Sequence, residues 1–164
     1  MTENTKPPRP LVLGGITVKV VTGCGNMYIQ LNWYRGKLFE VFATLGKGGG
    51  CAVCQTEGLT RGITLGVKYG VPVTEYIRQL RGIRCPTPMP FPREHAVLSC
   101  PDAIAKTLER YGGLTAEEVV KLVLVNGQDM SSNDPVLSAE EERVQAEAEM
   151  QKQKREREEQ GLND

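Results

Sequence analysis

The chain has 164 residues, room for one compact domain and a tail, with twenty Lys and Arg balanced by twenty Asp and Glu. That balance argues against a general electrostatic affinity for nucleic acid or an anionic membrane. Hydrophobic residues make up 40% and aromatics only 5%, so the core must come mainly from Val, Ile and Leu.

The first stretch, MTENTKPPRP, is polar and proline-rich, unlike a signal peptide, and residues 1–13 are expected to form a disordered arm. No apolar run approaches the ~20 residues of a membrane span, so a soluble, cytoplasmic protein is expected. From Ile16 the pattern alternates, with Ile16, Val18 and Val20 on one face. Two further strands are predicted, from Met27 or Tyr28 to Trp33 and from Leu38 to Phe42, joined by a tight hairpin at Tyr34, Arg35, Gly36 and Lys37. The period then lengthens. After the run GKGGG at 46–50, Val53, Leu59, Ile63 and Val67 recur at helical spacing over 51–69, with Gly58, Gly62 and Gly66 as a small-residue stripe expected to pack closely on a neighbour. Gly70 and Pro72 end that helix. Further helices are predicted over 73–80, from about Pro101 to Tyr111, and from the capping box TAEE at 115–118 to about Val125. The segment CPTPMPFP at 85–92 reads as a rigid extended loop.

The expected fold is α+β: a three-stranded antiparallel sheet packed by about three to four helices, occupying residues 14–125. A polar linker over 126–137 and a charged, solvated helix over 138–164 follow. Leu137, Val144 and Ala148 form a thin apolar line on that last helix, which offers a route to a homo-oligomer or to a partner.

All five cysteines, Cys24, Cys51, Cys54, Cys85 and Cys100, sit at element edges beside Gly or Pro. Metal knuckles place thiolates in such settings, and zinc takes four of them tetrahedrally. An odd count in a reducing compartment argues against a disulfide framework. Cys51 and Cys54 form a CxxC, open to a redox pair as well as to ligation, and packing thiols are the third reading. Cys100, at a helix start, could also be a nucleophile.

The segments TGCG at 22–25, FEVFATLGKGGGC at 39–51, QLRGIRCP at 79–86 and SCPDAIAK at 99–106 resemble the TSCPD domain. That domain occurs near the C-terminus of adenosylcobalamin-dependent ribonucleotide reductases and as small stand-alone bacterial and phage proteins. The resemblance covers roughly residues 14–111. It implies four recurrent thiols, Cys24, Cys51, Cys85 and Cys100, as a zinc-ligand set, with Cys54 outside it. Leu98 stands where the family name implies Thr, which removes a cap hydroxyl but no ligand. Nothing resembles the reductase barrel, its radical-bearing or substrate-reducing cysteines, or the two-CxxC zinc segment that often follows this domain. Residues 114–164 carry no such resemblance.

Other candidate chemistry is more open. Lys47, Gly48, Gly49 and Gly50 ahead of a helix suit a phosphate, although the GK[ST] ending of a Walker loop is absent; alternatively the glycines let the backbone wrap a Cys51–metal site. Arg61, Arg78, Arg81 and Arg84 could line a nucleotide pocket or form a solvated face. His95, the only histidine, is either a metal ligand or a surface residue. Tyr28, Trp33 and Tyr34 fit a sheet core or a base-stacking platform. One histidine and scattered acids offer no Ser–His–Asp set and no carboxylate pair.

The expected function is therefore a small metal-stabilised, reductase-related module that binds a nucleotide-like ligand or a protein partner without catalysis. The alternatives are a thiol redox accessory to a reductase, relaying electrons through Cys51 and Cys54, and a phage-type scavenger of a signalling nucleotide.

Overall fold

The computed structural model describes residues 6–46, 50–89 and 96–126. Three antiparallel strands, β1 (Gly14–Thr22), β2 (Gly25–Tyr34) and β3 (Lys37–Leu45), form a meander in the order β1-β2-β3. The β2–β3 turn is Arg35-Gly36, both at positive φ (51° and 76°), the conformation that matches the right-handed twist of hairpin strands. The β1–β2 turn, Gly23-Cys24, is held differently. Thr22 Oγ1 donates to the Gly25 carbonyl (2.8 Å) and accepts from the Cys24 amide (3.2 Å).

Alternation sends Val20, Met27, Ile29, Leu31, Trp33, Val41, Ala43 and Leu45 to one face, where they form the core. That face is covered by α1 (Cys51–Lys68), α2 (Val73–Leu80), α3 (Cys100–Thr107) with its π-helical extension Leu108–Gly112, and α4 (Ala116–Asn126). Ile63, Ile104, Leu108, Tyr111 and Val119 are the helices' main buried apolar contributions. This is the α+β arrangement expected. No helix among the described residues is long and apolar enough to cross a membrane.

The start of α4 is the capping box that TAEE predicts: the Thr115 amide donates to Glu118 Oε2 (2.7 Å) and the Glu118 amide to Thr115 Oγ1 (3.3 Å). Helix α1 differs from its sequence pattern. Its buried face carries Thr56 and Thr60 as well as Ile63. Thr64 Oγ1 both accepts from the Val41 amide and donates to the Val41 carbonyl, each at 2.9 Å, which satisfies backbone groups that the edge strand β3 would leave bare. The glycine stripe is not a packing stripe. A Cβ on Gly58 or Gly62 would meet nothing within 4 Å, whereas one on Gly66 would overlap the Tyr76 hydroxyl. Only the last of the three allows a close approach, because Tyr76 of α2 packs against it.

Of Tyr28, Trp33 and Tyr34, Trp33 belongs to the sheet core. Trp33 is 5% exposed in the core and donates its Nε1–H to the Leu114 carbonyl (2.8 Å), while Tyr28 sits exposed on the opposite face of β2. Neighbours of odd sequence spacing on a strand cannot share a face.

Arg9, within the expected N-terminal arm, pairs with Glu40 (2.8 Å). Glu40 also accepts from Lys68 Nζ (3.0 Å) and lies near Asn32 Nδ2 (3.4 Å). A bulge between Asn32 and Trp33 leaves Phe39 unopposed and turns it beneath Lys68, whose amine lies 4.4 Å from the ring centroid. The expected linker beyond Asn126 and the charged helix over 138–164 lie outside the described residues.

Candidate functional site

The chain around Cys100 is organised by its neighbours. Ser99 is the N-cap of α3: its Oγ accepts from the Asp102 amide (3.2 Å) and donates to the Ile83 carbonyl (2.6 Å). Pro101 occupies the first turn, where its missing N–H costs nothing. Asp102, 1% exposed, accepts from the Gly82 amide (2.8 Å) and the Leu98 amide (3.0 Å) and pairs with Lys106 (3.2 Å). Position 98 therefore contributes backbone, and the cap hydroxyl belongs to Ser99. Leu98 costs the helix nothing.

These bonds tie α3 to the chain leaving α2, and the Cys85 amide donates to the Leu98 carbonyl (3.0 Å) in the same tie. The β1–β2 turn packs against that segment from the other side. A Cβ on Gly23 would overlap the Thr87 carbonyl, so glycine there lets the two backbones touch. Cys24 and Cys85 then share Thr87, whose Oγ1 lies 3.9 Å from Cys24 Sγ and 3.8 Å from Cys85 Sγ.

The result is a pocket of about 470 Å³ whose wall includes Cys24, Cys85 and Cys100, with Thr56, Thr87 and Ser99 as hydroxyls and Leu59, Leu80 and Ile83 as apolar lining. Cys100 is half-buried there. Burial pushes its thiol up from the ordinary value, and the neighbouring Cys24 and Cys85 sulfurs add to this, against a hydrogen bond with Thr56. The upward shift works against the activated nucleophile that a helix N-terminus would otherwise favour.

Cys51, the first residue of α1, is exposed and outside the pocket wall, although Ala52 next to it is part of that wall. Cys54 is exposed and turns its thiol to the Cys51 carbonyl (3.2 Å). Among the described residues no group of three or more Cys, His, Asp or Glu stands at metal-binding spacing. The donors fit zinc in kind, since soft thiols from separate segments line one pocket with no carboxylate among its described wall residues. Ligation would draw the sulfurs closer together.

The other candidates fall elsewhere. Gly50 precedes α1 at φ 91°, while Lys47, Gly48, Gly49 and His95 lie outside the described residues. Arg61 pairs with Glu57, Arg78 with Glu75 and Arg81 with Glu109. Arg84 is exposed, with no ion pair or hydrogen bond among the described residues. The hydroxyls of Thr56 and Thr87 went unread in the sequence because threonine in a helix or loop carries no pattern of its own.

The family model of the TSCPD domain matches residues 3–112. The chain belongs to the TSCPD domain family. The match spans all three strands, α1 to α3 and every cysteine, and leaves α4 outside. No curated protein and no solved structure matches the chain. Membership in a domain associated with ribonucleotide reductases makes this a reductase-related module.

Proposed function

We propose that this TSCPD module is a non-catalytic binding unit whose cysteine site holds a structural zinc ion. Cys24, Cys85 and Cys100 would be three ligands and Cys51 the fourth. The observation that carries the reading is the convergence of three thiols from the β1–β2 turn, the post-α2 segment and the α3 start on one pocket. A bound metal would supply a cross-link among these segments, which suits a small glycine-rich core.

Metal analysis of protein purified without added zinc, combined with thiol counting, tests this. One zinc per chain and a single reactive thiol, Cys54, is the expected result; no metal and five reactive thiols would sink it. The surface so held is proposed to take a nucleotide-like ligand or a protein partner, with the exposed Arg84, which has no ion pair among the described residues, as a candidate contact. Thermal-shift screening against nucleotides and cyclic oligonucleotides should raise the melting temperature with at least one of them. No shift with any would remove the nucleotide and leave the protein partner.

A further inference from the structure

The sulfurs proposed to hold zinc sit on rigid mounts. Cys24 lies in a two-residue turn pinned against Thr87, and Cys100 begins a helix pinned by Ser99 and Asp102. Cys24 is exposed and Cys100 is half-buried, and both line the wall of the same pocket. Cys85 is also on this wall but shares the Thr87 hydroxyl with Cys24. The CxxC pair offers less, because Cys54's thiol is directed to a backbone carbonyl and both residues stand outside the pocket wall.

We propose that Cys24 and Cys100 form a reversible disulfide in this pocket when no metal engages them, with a low-molecular-weight disulfide as oxidant. The inference rests on the same thiol site as the reading above, but not on its zinc. The exposed Cys24 sulfur attacks one sulfur of the oxidant RSSR, forming Cys24–S–S–R, and the thiol proton passes to the displaced RS⁻, which leaves as RSH. Cys100 then attacks the Cys24 sulfur, the Cys24–S–S–R bond breaks, and a second RSH leaves. Two electrons pass to RSSR, and the two cysteine protons end on the two released thiols. Closure needs the sulfurs to come to about 2.05 Å, which rotation of the two cysteine side chains on their mounts must supply. The site would then exchange one cross-link for another and keep the β1–β2 turn joined to α3 under oxidising conditions.

The test treats the chelated wild-type chain with oxidised glutathione, blocks free thiols, and maps the linked peptides. The expected result is a fall from five free thiols to three, with Cys24 joined to Cys100. In Cys100→Ser the second step is lost and glutathione should remain trapped on Cys24. The wild-type map stands alone if that variant does not fold. A Cys51–Cys54 or Cys24–Cys85 link instead, or five thiols still free, overturns the proposal. Zinc bound before chelation with no link after it would leave the metal reading and remove the disulfide. No zinc but a Cys24–Cys100 link would do the reverse.

Discussion

Two buried carboxylates show how much a single position can hold. Asp102 receives two backbone amides from different segments, so Asp102→Ala would leave both unsatisfied in the interior. A loss of about 3 kcal/mol is expected, measured by urea denaturation, with Asp102→Asn losing less because one acceptor remains. The Pro-Asp pair was legible as a helix start, but the reach of Asp102 to Gly82 was not, since a sequence does not show which distant amide lies opposite. Glu40 is the second case. Burial works against its ionisation, but hydrogen bonds from Lys68, Arg9 and Asn32 and the Lys68 charge outweigh that and hold the carboxyl below its usual 4.5. Because the fold depresses this value, Glu40 stabilises the folded state fully above about pH 4.5. The contribution disappears as pH falls through the lower folded-state value. Urea midpoints taken at about pH 7 and about pH 3 should fall more for wild type than for Glu40→Gln. An equal fall would place the acid sensitivity elsewhere.

At the scale of elements, the strands, the Arg35-Gly36 hairpin and the helix over 73–80 were readable, because period-two alternation, turn residues and apolar residues at helical spacing (Val73, Ile77, Leu80) are local signals. The faces of α1 were not. Its threonines face the core and the sheet edge, and two of its glycines face open space, a choice made by where β3 and α2 lie. The glycines therefore differ in consequence. Gly62→Ala should stabilise by up to about 1 kcal/mol through helix propensity alone, as nothing stands where its Cβ would go. Gly66→Ala must displace the Tyr76 hydroxyl, and its melting temperature should not rise. If both variants gain equally, the α1–α2 crossing is looser than described.

For the whole molecule, the contact between Gly23 and Thr87 joins the sheet to the thiol pocket. Gly23→Ala would push the Thr87 backbone away, with an expected cost on the order of 2 kcal/mol and, on the zinc proposal, a lower metal content, read by thermal melting and metal analysis. A stable variant with full metal content would show that the turn and the pocket are independent. The sequence by itself determined the secondary structure of the described residues, the α+β class and the cysteines as the residues to watch, because propensity, periodicity and chemistry are properties of short segments. Only the tertiary structure decided which thiols meet. Cys24, Cys85 and Cys100 reach one pocket wall from distant segments, while Cys51, grouped with them in the sequence analysis, begins a helix beside the pocket and outside its wall. Convergence of that kind depends on how turns and helix ends pack, and spacing along a chain does not encode it.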